Sequence, residues 1–261
     1  MKKKLNKMNF KHAIVRKPGR SFHNGLTTSN LGKPDYDKVI LQHSEYTKAL
    51  KTIGLDLLEL KADENFPDST FVEDTAVVNE DVAVIANLGA PSRQGEEKEI
   101  KRVLEKYYDI IEIISNPGTL DGGDILRVEN HYYIGLSNRT NREGATQLTN
   151  ILQNHDYTCS TVPLIDFLHL KSGISYIGDN TLIVAGEFKD NPIFKSYNRI
   201  NVKKDECYAA NSIMINGHVL IPKGYDNLLN ALSNLGHNTL EIDMSEFRKM
   251  DGGLSCLSIR F

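Results

Sequence analysis

Residues 212–221 have the sequence SIMINGHVLI, in which two short apolar segments flank the dipeptide Asn216-Gly217. Asn-Gly between such segments is the strongest short-range signal for a β-hairpin. Three other stretches repeat this pattern of two short strands around a tight polar turn: residues 76–85 (AVVNEDVAVI), 125–134 (ILRVENHYYI) and 174–184 (ISYIGDNTLIV). The four turns begin at residues 79, 129, 178 and 216, at spacings of 50, 49 and 38 residues. Such a period predicts an array of similar modules.

Helical periodicity follows three of these hairpins. Residues 95–107, 141–155 and 226–235 place apolar side chains about one turn apart, and residues 38–53 predict a further helix near the N-terminus. A helix after a hairpin makes each module a mixed α/β unit. A fifth module is split between strands predicted at residues 12–16 and 257–261, which would pair and close a ring. The sequence therefore predicts one domain, residues 1–261, of five α/β modules around an axis. The alternative is an open α+β sheet with coincidental hairpin spacing.

The composition indicates an ordinary globular protein. The chain has 261 residues, of which 40% are apolar and 25% charged, and its net charge is −3. Without an excess of positive charge, nucleic acid and anionic membranes are not expected partners. Residues 1–9 are expected to form a flexible terminus, because no apolar run follows the basic residues as a signal peptide requires. The three cysteines, Cys159, Cys207 and Cys256, are far apart and fit the reducing cytoplasm.

Four polar stretches precede predicted strands and contain residues with chemical potential. They are residues 67–75 (PDSTFVEDT), 120–125 (LDGGDI), 167–173 (FLHLKSG) and 250–258 (MDGGLSCLS). Each has an ordinary structural interpretation by itself: solvated charge, a glycine turn, a core histidine and a buried cysteine. Because the four stretches occupy the same position in their modules, a ring would bring them together at one end of its central channel.

Cysteine, histidine and carboxylates at one place are the groups that nucleophilic catalysis requires. A zinc site would instead need about four ligands, usually including a close pair such as C-x-x-C or H-x-x-x-H. Neither spacing occurs in the sequence. We therefore expect a cysteine-dependent enzyme without a metal ion.

The motifs FVEDT, LDGGDIL, LHLKSG and GGLSCLSIRF, in this order, resemble the dimethylarginine dimethylaminohydrolases of the amidinotransferase superfamily. The resemblance extends from about residue 10 to residue 261. Within it, residues 21–36 belong to a stretch that is similar to the active-site lid of the bacterial members. The resemblance implies a five-bladed α/β propeller of ββαβ-like modules with pseudo-fivefold symmetry, closed by the N- and C-terminal strands.

The resemblance also implies roles for individual residues. Cys256 would attack the guanidinium carbon of the substrate, and His169 would act as acid and base. Asp121 would orient His169 and contact the guanidinium. The residues implied to bind the substrate are Asp74 and Glu73 at the guanidinium, Arg93 and Arg139 at the carboxylate, Asp68 near the α-amino group, the backbone of Leu26 in the lid, and Phe71 beside the methylated nitrogens.

The implied reaction is hydrolysis of asymmetric dimethylarginine and monomethylarginine to citrulline and an amine through a covalent cysteine thiouronium. No metal or organic cofactor is expected. The expected partner is the small-molecule substrate, and a homodimer is compatible with the sequence. Two alternatives remain open: an arginine deiminase-like hydrolase of free arginine or another guanidino compound, and a non-catalytic propeller that binds a cationic ligand.

Overall fold

Five separate three-stranded sheets organise the chain in the computed structural model, which describes residues 9–261. The expectation for residues 1–9 therefore lies outside the described residues, apart from Asn9. Each sheet combines one antiparallel and one parallel strand pair around its central strand. The predicted modular, mixed α/β organisation is confirmed.

The four predicted hairpins are present, and a third, parallel strand completes each of their sheets. At the Asn216-Gly217 turn both residues have positive φ, 48° and 84°, as the tight turn between twisted strands requires. The strands of these sheets are β3 (Ala76–Val78), β4 (Ala83–Ile85) and β5 (Ile111–Ile113); β6 (Ile125–Val128), β7 (His131–Leu136) and β8 (Thr158–Pro163); β9 (Ile174–Tyr176), β10 (Thr181–Val184) and β11 (Asn198–Asn201); β12 (Ile213–Ile215), β13 (His218–Pro222) and β14 (Asn238–Ile242).

The fifth sheet joins the two ends of the described chain, as predicted. Its central strand β1 (His12–Arg16) pairs antiparallel with β15 (Ile259–Arg260) and parallel with β2 (Asp56–Leu60). Ile14 lies opposite Ile259 in this register. The two ends of the described chain therefore contribute strands to one module.

The four longer α-helices lie between the second and third strands of their modules, close to the predicted positions. The first begins two residues earlier than predicted, because the Asp35 side chain accepts hydrogen bonds from the backbone N–H groups of Asp37 and Lys38. Residues 185–197, which connect β10 to β11, form 3-10 turns instead of an α-helix. The α-helices are α1 (Tyr36–Thr52), α2 (Glu97–Leu104), α3 (Arg142–Gln153), α4 (Leu170–Gly173), α5 (Asp226–Asn234) and α6 (Ser245–Arg248).

The apolar core is divided into clusters that link neighbouring sheets. One of them packs Ile14 and Ile259 of the fifth sheet against Val72, Ala76 and Ile85 of the adjacent module. Ile14 is completely buried. None of the helices in residues 9–261 combines the length and apolarity needed to cross a membrane.

Ile14→Ala should lower the free energy of unfolding by about 2–5 kcal/mol, because it leaves a cavity where the two ends of the chain pair. Leu41→Ala is the control, since Leu41 lies in α1 with 58% of its surface exposed. The control should change the free energy of unfolding by less than about 0.5 kcal/mol. Urea titrations followed by circular dichroism would measure both values, and equal losses would contradict a core role for Ile14.

Candidate active site

The four predicted motifs lie immediately before the first strand of a sheet or at the closing strand. Val72–Thr75 and Gly122–Asp124 form 3-10 helices before β3 and β6. His169 is the N-cap residue of α4, which leads into β9, and Ser255–Leu257 form a 3-10 helix before β15. These segments contact one another in the folded chain. Equivalent positions of four modules therefore converge at one place.

A cavity at this place is lined by eight of the ten predicted site residues. They are Cys256, His169, Asp74, Asp68, Arg93, Arg139, Leu26 and Phe71. Leu168, Met250, Asp251 and Gly252 complete the lining. Asp121 lies behind His169, outside the lining, and Glu73 faces elsewhere.

His169 is held by a hydrogen bond between its Nε2 and the Asp121 Oδ2, at 3.2 Å. Asp121 is fully buried, and its other carboxylate oxygen accepts a hydrogen bond from the backbone N–H of Gly89 at 2.9 Å. Gly123 packs so closely on the imidazole that a Cβ there would lie 2.7 Å from the His169 Nδ1. The ring is therefore fixed on two sides, by a carboxylate and by a residue without a side chain.

Asp74 is a buried carboxylate that accepts hydrogen bonds from two groups. Arg93 NH1 donates to its Oδ2 at 2.6 Å, and the backbone N–H of Gly123 donates to its Oδ1 at 2.9 Å. Arg93 also pairs with Glu96 at 2.8 Å and donates to the backbone carbonyl of Phe71. Burial raises the pKa of Asp74, but the positive charges of His169 and Arg93 outweigh this effect and lower the pKa to about 2. Asp74 is therefore ionised at neutral pH.

Arg139 differs from Arg93 in having unused hydrogen-bonding capacity. Its NH1 lies 3.7 Å from the Asp121 Oδ2, outside hydrogen-bonding distance. This buried NH1 has no hydrogen-bond partner within residues 9–261. Since Arg139 lines the cavity, its guanidinium is available to an anionic group of a ligand.

The predicted lid segment, residues 21–36, reaches the cavity through Leu26. The backbone N–H of Leu26 donates to both carboxylate oxygens of Asp68 at 3.1 Å. Farther along, the backbone N–H of Thr28 donates to the Asp251 Oδ2 at 2.5 Å. Two carboxylates of the cavity lining thus hold this segment across the cavity.

Glu73 and Asp74 are adjacent in sequence, but their side chains have different partners. The Glu73 Oε1 contacts Lys171 Nζ at 2.7 Å and Arg260 NH2 at 2.9 Å. Glu73, Lys171 and Arg260 line a second cavity that Asp74 does not reach. The Glu73 Oε2 is buried and has no hydrogen-bond partner among the described residues. The structure thus does not place Glu73 with the other predicted substrate-binding residues.

The Cys256 thiol lies in a negatively charged environment. The backbone N–H of Gly253 points to the Cys256 Sγ at 3.4 Å. Burial raises the pKa of the thiol to about 12, and the negative charges of Glu73 and Asp74 add to this effect. The thiol is therefore protonated at neutral pH in the free protein. Cys159 in β8 and Cys207 in the 3-10 helix Lys204–Ala210 lie outside the cavity lining.

The carboxylates near His169 favour the charged form of its side chain, whereas those near Cys256 favour the neutral thiol. Burial lowers the pKa of its imidazole, but the carboxylates of Asp74, Asp124 and Asp121 outweigh burial and raise the pKa from 6.5 to about 9. The ring is consequently an imidazolium at neutral pH. Its contribution to stability is complete below pH 6.5 and disappears as the pH rises through about 9.

Asp74, Asp121 and His169 each present a potential ligand atom, all within 4.8 Å of one another. The guanidinium groups of Arg93 and Arg139 lie 2.6 Å and 3.7 Å from these carboxylates. The Asp74 oxygens already accept hydrogen bonds from Arg93 and Gly123. Because an ionised carboxylate offers about four acceptor positions, Asp74 is able to accept from a further N–H group of an organic cation without losing these contacts.

Several residues of the site were not among those predicted. Asp124 and Lys171 lie within the quoted motifs and contact the backbone N–H of Leu170 and the carboxylate of Glu73, respectively. Glu96 follows Arg93 by three residues, a spacing that favours ion pairs but does not by itself indicate a site. Asn211 accepts a hydrogen bond from the backbone N–H of Ser255, directly before Cys256. No motif in the sequence indicated this residue.

A thiol, an imidazolium and ionised carboxylates at one cavity, on five mixed α/β modules, are typical of hydrolases that act on guanidino compounds. The comparisons define the family. A family model described as eukaryotic N,N-dimethylarginine dimethylhydrolase matches residues 28–209. The N(G),N(G)-dimethylarginine dimethylaminohydrolase of Pseudomonas aeruginosa is 46% identical over 97% of this chain and 100% of the relative. The chain belongs to the dimethylarginine dimethylaminohydrolase family.

Two further comparisons agree with this assignment. The N(G),N(G)-dimethylarginine dimethylaminohydrolase of Streptomyces coelicolor is 32% identical over 96% of both chains. The solved structure of a mutant dimethylarginine dimethylaminohydrolase from Pseudomonas aeruginosa, in complex with citrulline, superposes on this chain with a TM-score of 0.96. The two sequences are 45% identical, and the match covers 97% of this chain and 100% of the solved chain.

Asp121→Asn should lower the pKa of His169, because it replaces the hydrogen-bonded carboxylate with a neutral amide of the same size. NMR titration of the histidine ring carbons would measure the change, with His169→Asn used to assign the signal. His131 is the internal control, since burial alone lowers its pKa and it lies in β7. An unshifted His169 titration in Asp121→Asn would contradict the electrostatic role of Asp121.

Proposed function

We propose that this protein hydrolyses asymmetric dimethylarginine and monomethylarginine to citrulline, with release of dimethylamine and methylamine. The observation that carries the proposal is the convergence of Cys256, His169, Asp74 and Arg139 on one cavity. The first two provide a nucleophile and an acid, and the other two match the opposite charges at the ends of an arginine derivative. The 46% identity to the Pseudomonas aeruginosa enzyme supports the same substrate class.

Binding of the cationic substrate would activate the nucleophile. A guanidinium beside Asp74 adds positive charge next to Cys256 and favours the thiolate over the thiol. His169 is already protonated, so the thiol proton leaves to solvent. The result is a thiolate, a guanidinium and an imidazolium at adjacent positions, which is the arrangement that the reaction requires.

The thiolate then adds to the guanidinium carbon. The bond from this carbon to the methylated nitrogen breaks as His169 donates its proton to that nitrogen, and the amine leaves. A thiouronium remains on Cys256. Neutral His169 next takes a proton from a water molecule whose oxygen adds to the same carbon. The C–S bond breaks as the proton on His169 passes to sulfur. The proton of the added hydroxyl group then passes to His169, and neutral citrulline leaves, so that Cys256 and His169 return to their initial protonation states.

The remaining cavity residues would set the substrate orientation. Arg139, with its unpartnered NH1, would hold the substrate carboxylate. Asp68 and the backbone of Leu26 would receive the α-amino end, and Phe71 would contact the methyl groups. Arg93 already donates hydrogen bonds to Asp74 and Glu96. It would therefore bind the substrate carboxylate only while it also keeps these two partners. We assign Glu73 to the charge environment of Cys256 rather than to direct substrate contact.

We extend the proposal to the architecture. The pairing of β1 with β15 supports a closed five-bladed propeller with pseudo-fivefold symmetry and a single domain. Residues 21–36 would act as the lid, because Leu26 and Thr28 are bound to carboxylates of the cavity lining. Three cysteines without disulfide partners support a cytoplasmic location.

Cys256→Ser should abolish citrulline release from asymmetric dimethylarginine, because a serine hydroxyl is too weak a nucleophile in this site. Ligand binding, measured by calorimetry, and the melting temperature should remain close to wild type. Cys159→Ser and Cys207→Ser are the matched controls and should keep their activity. Substantial turnover by Cys256→Ser would exclude the covalent mechanism.

Arg139→Ala should reduce kcat/KM for dimethylarginine by a factor equivalent to about 2–5 kcal/mol, because a buried charge-assisted pair with the substrate carboxylate is lost. The decarboxylated analogue, dimethylagmatine, should be affected little. Arg139→Lys should restore only part of the loss, since lysine cannot form a planar two-point contact.

The control for this substitution is Arg142→Ala, which removes an exposed arginine of α3 from the same stretch of chain. It should leave both substrates unaffected. Citrulline-release assays with dimethylarginine, monomethylarginine, arginine and dimethylagmatine would give all the values. If Arg139→Ala reduces kcat/KM by the same factor for dimethylarginine and for dimethylagmatine, Arg139 has a structural role and does not bind the substrate carboxylate.

A further inference from the structure

The 3-10 helix Lys204–Ala210 and the residue that ends it, Asn211, lie between the two segments that carry Cys256 and His169. Asn211 is 5% exposed and belongs to neither segment. Its side-chain amide is directed at both of them.

One amide makes three hydrogen bonds across this junction. The Asn211 Oδ1 accepts from the backbone N–H of Ser255 at 3.0 Å. Its Nδ2 donates to the Ser255 Oγ at 3.0 Å and to the backbone carbonyl of Lys171 at 2.9 Å. Ser255 precedes Cys256 directly, and Lys171 follows His169 by two residues. The amide therefore joins the backbone next to the thiol to the backbone next to the imidazole.

The glycine at position 253 permits this contact. A Cβ on Gly253 would lie 2.5 Å from the Asn211 Cγ, much closer than van der Waals contact. Gly253 also bonds within its own turn, where its carbonyl accepts from the Cys256 N–H at 3.3 Å. The absence of a side chain thus lets the turn that presents Cys256 rest directly on the asparagine amide.

Asn211 is itself held in place by its neighbours. The Tyr208 hydroxyl donates to the carbonyl of Gly252 at 2.7 Å. The 3-10 helix Lys204–Ala210 therefore contacts the turn before Cys256 at a second point. The backbone N–H of Ser212 donates to the Ser175 Oγ at 3.0 Å, which ties the segment to β9 directly after α4. A displacement of Asn211 would consequently be transmitted to both segments.

We propose that Asn211 is a positioning residue that fixes the relative placement of Cys256 and His169. The proposal rests on the catalytic roles proposed above for these two residues. Asn211 is not among the residues that line the cavity, so its effect is on the geometry of the reacting groups rather than on substrate binding. Small misplacements of reacting groups reduce rates strongly, about a hundredfold for 1 Å.

Asn211→Ala should reduce kcat for dimethylarginine at least about tenfold and leave KM within about threefold, because the Asn211 side chain forms its hydrogen bonds with Ser255 and Lys171 and not with Asp74, Asp68 or Arg139. Asn211→Ser should give a smaller loss, since the hydroxyl is able to accept from the Ser255 N–H but is too short to reach Lys171. The serine variant carries the test if the alanine variant does not fold.

Asn79→Ala is the matched control. Asn79 is also 5% exposed, and its amide also makes three hydrogen bonds, to Tyr132, Asp81 and Val82, in the hairpin turn between β3 and β4. The melting temperature of Asn79→Ala should fall by an amount comparable with that of Asn211→Ala, because each substitution removes a buried amide that makes three hydrogen bonds. Its kcat should stay within about twofold of wild type.

A second measurement does not depend on turnover. The rate of Cys256 alkylation by iodoacetamide, followed by mass spectrometry, should rise at least about tenfold in Asn211→Ala and stay unchanged in Asn79→Ala, because only the former frees the cysteine turn. If wild type releases no citrulline from any substrate, the proposed function fails and alkylation alone decides the role of Asn211. Unchanged alkylation in both variants, or a kcat loss no larger than that of Asn79→Ala, would overturn the proposal.

Discussion

The buried carboxylate of Asp74 controls the electrostatics on which the rest of the site depends. It is ionised despite its burial, because Arg93 and the Gly123 N–H stabilise the negative charge. The same charge raises the pKa of His169 and that of Cys256. Asp74 therefore favours the protonated imidazole, together with Asp124 and Asp121, and it adds to the effects of burial and Glu73 that favour the neutral thiol.

This arrangement couples reactivity to the charge of the ligand. A cationic guanidinium beside Asp74 would supply the positive charge that a thiolate needs, and a neutral compound would not. Citrulline carries a neutral ureido group, so its formation removes the charge that favoured the thiolate. The proposed nucleophile would consequently be activated by substrate and deactivated by product, and the high pKa of the free thiol would protect it from indiscriminate alkylation between turnovers.

The repeated module explains why these groups meet. The four motifs precede strands of four different sheets, and the pairing of β1 with β15 builds one of these sheets from both ends of the described chain. Cys256 precedes the strand that closes this pairing, so the position of the nucleophile depends on the fold being complete. The module that follows His169 has 3-10 turns in place of an α-helix between its second and third strands, without loss of the sheet pattern.

The sequence by itself determined the modules and the positions of the chemical groups. Hairpin turns and helical periodicity are local, and Cys256, His169 and Asp121 each stand where a polar segment meets a strand. Only the tertiary structure decided the partners of these groups. Glu73 and Asp74 are neighbours in sequence, yet one pairs with Lys171 and Arg260 and the other with Arg93. Partner choice depends on side-chain directions across segments that are distant in sequence, which local patterns do not encode.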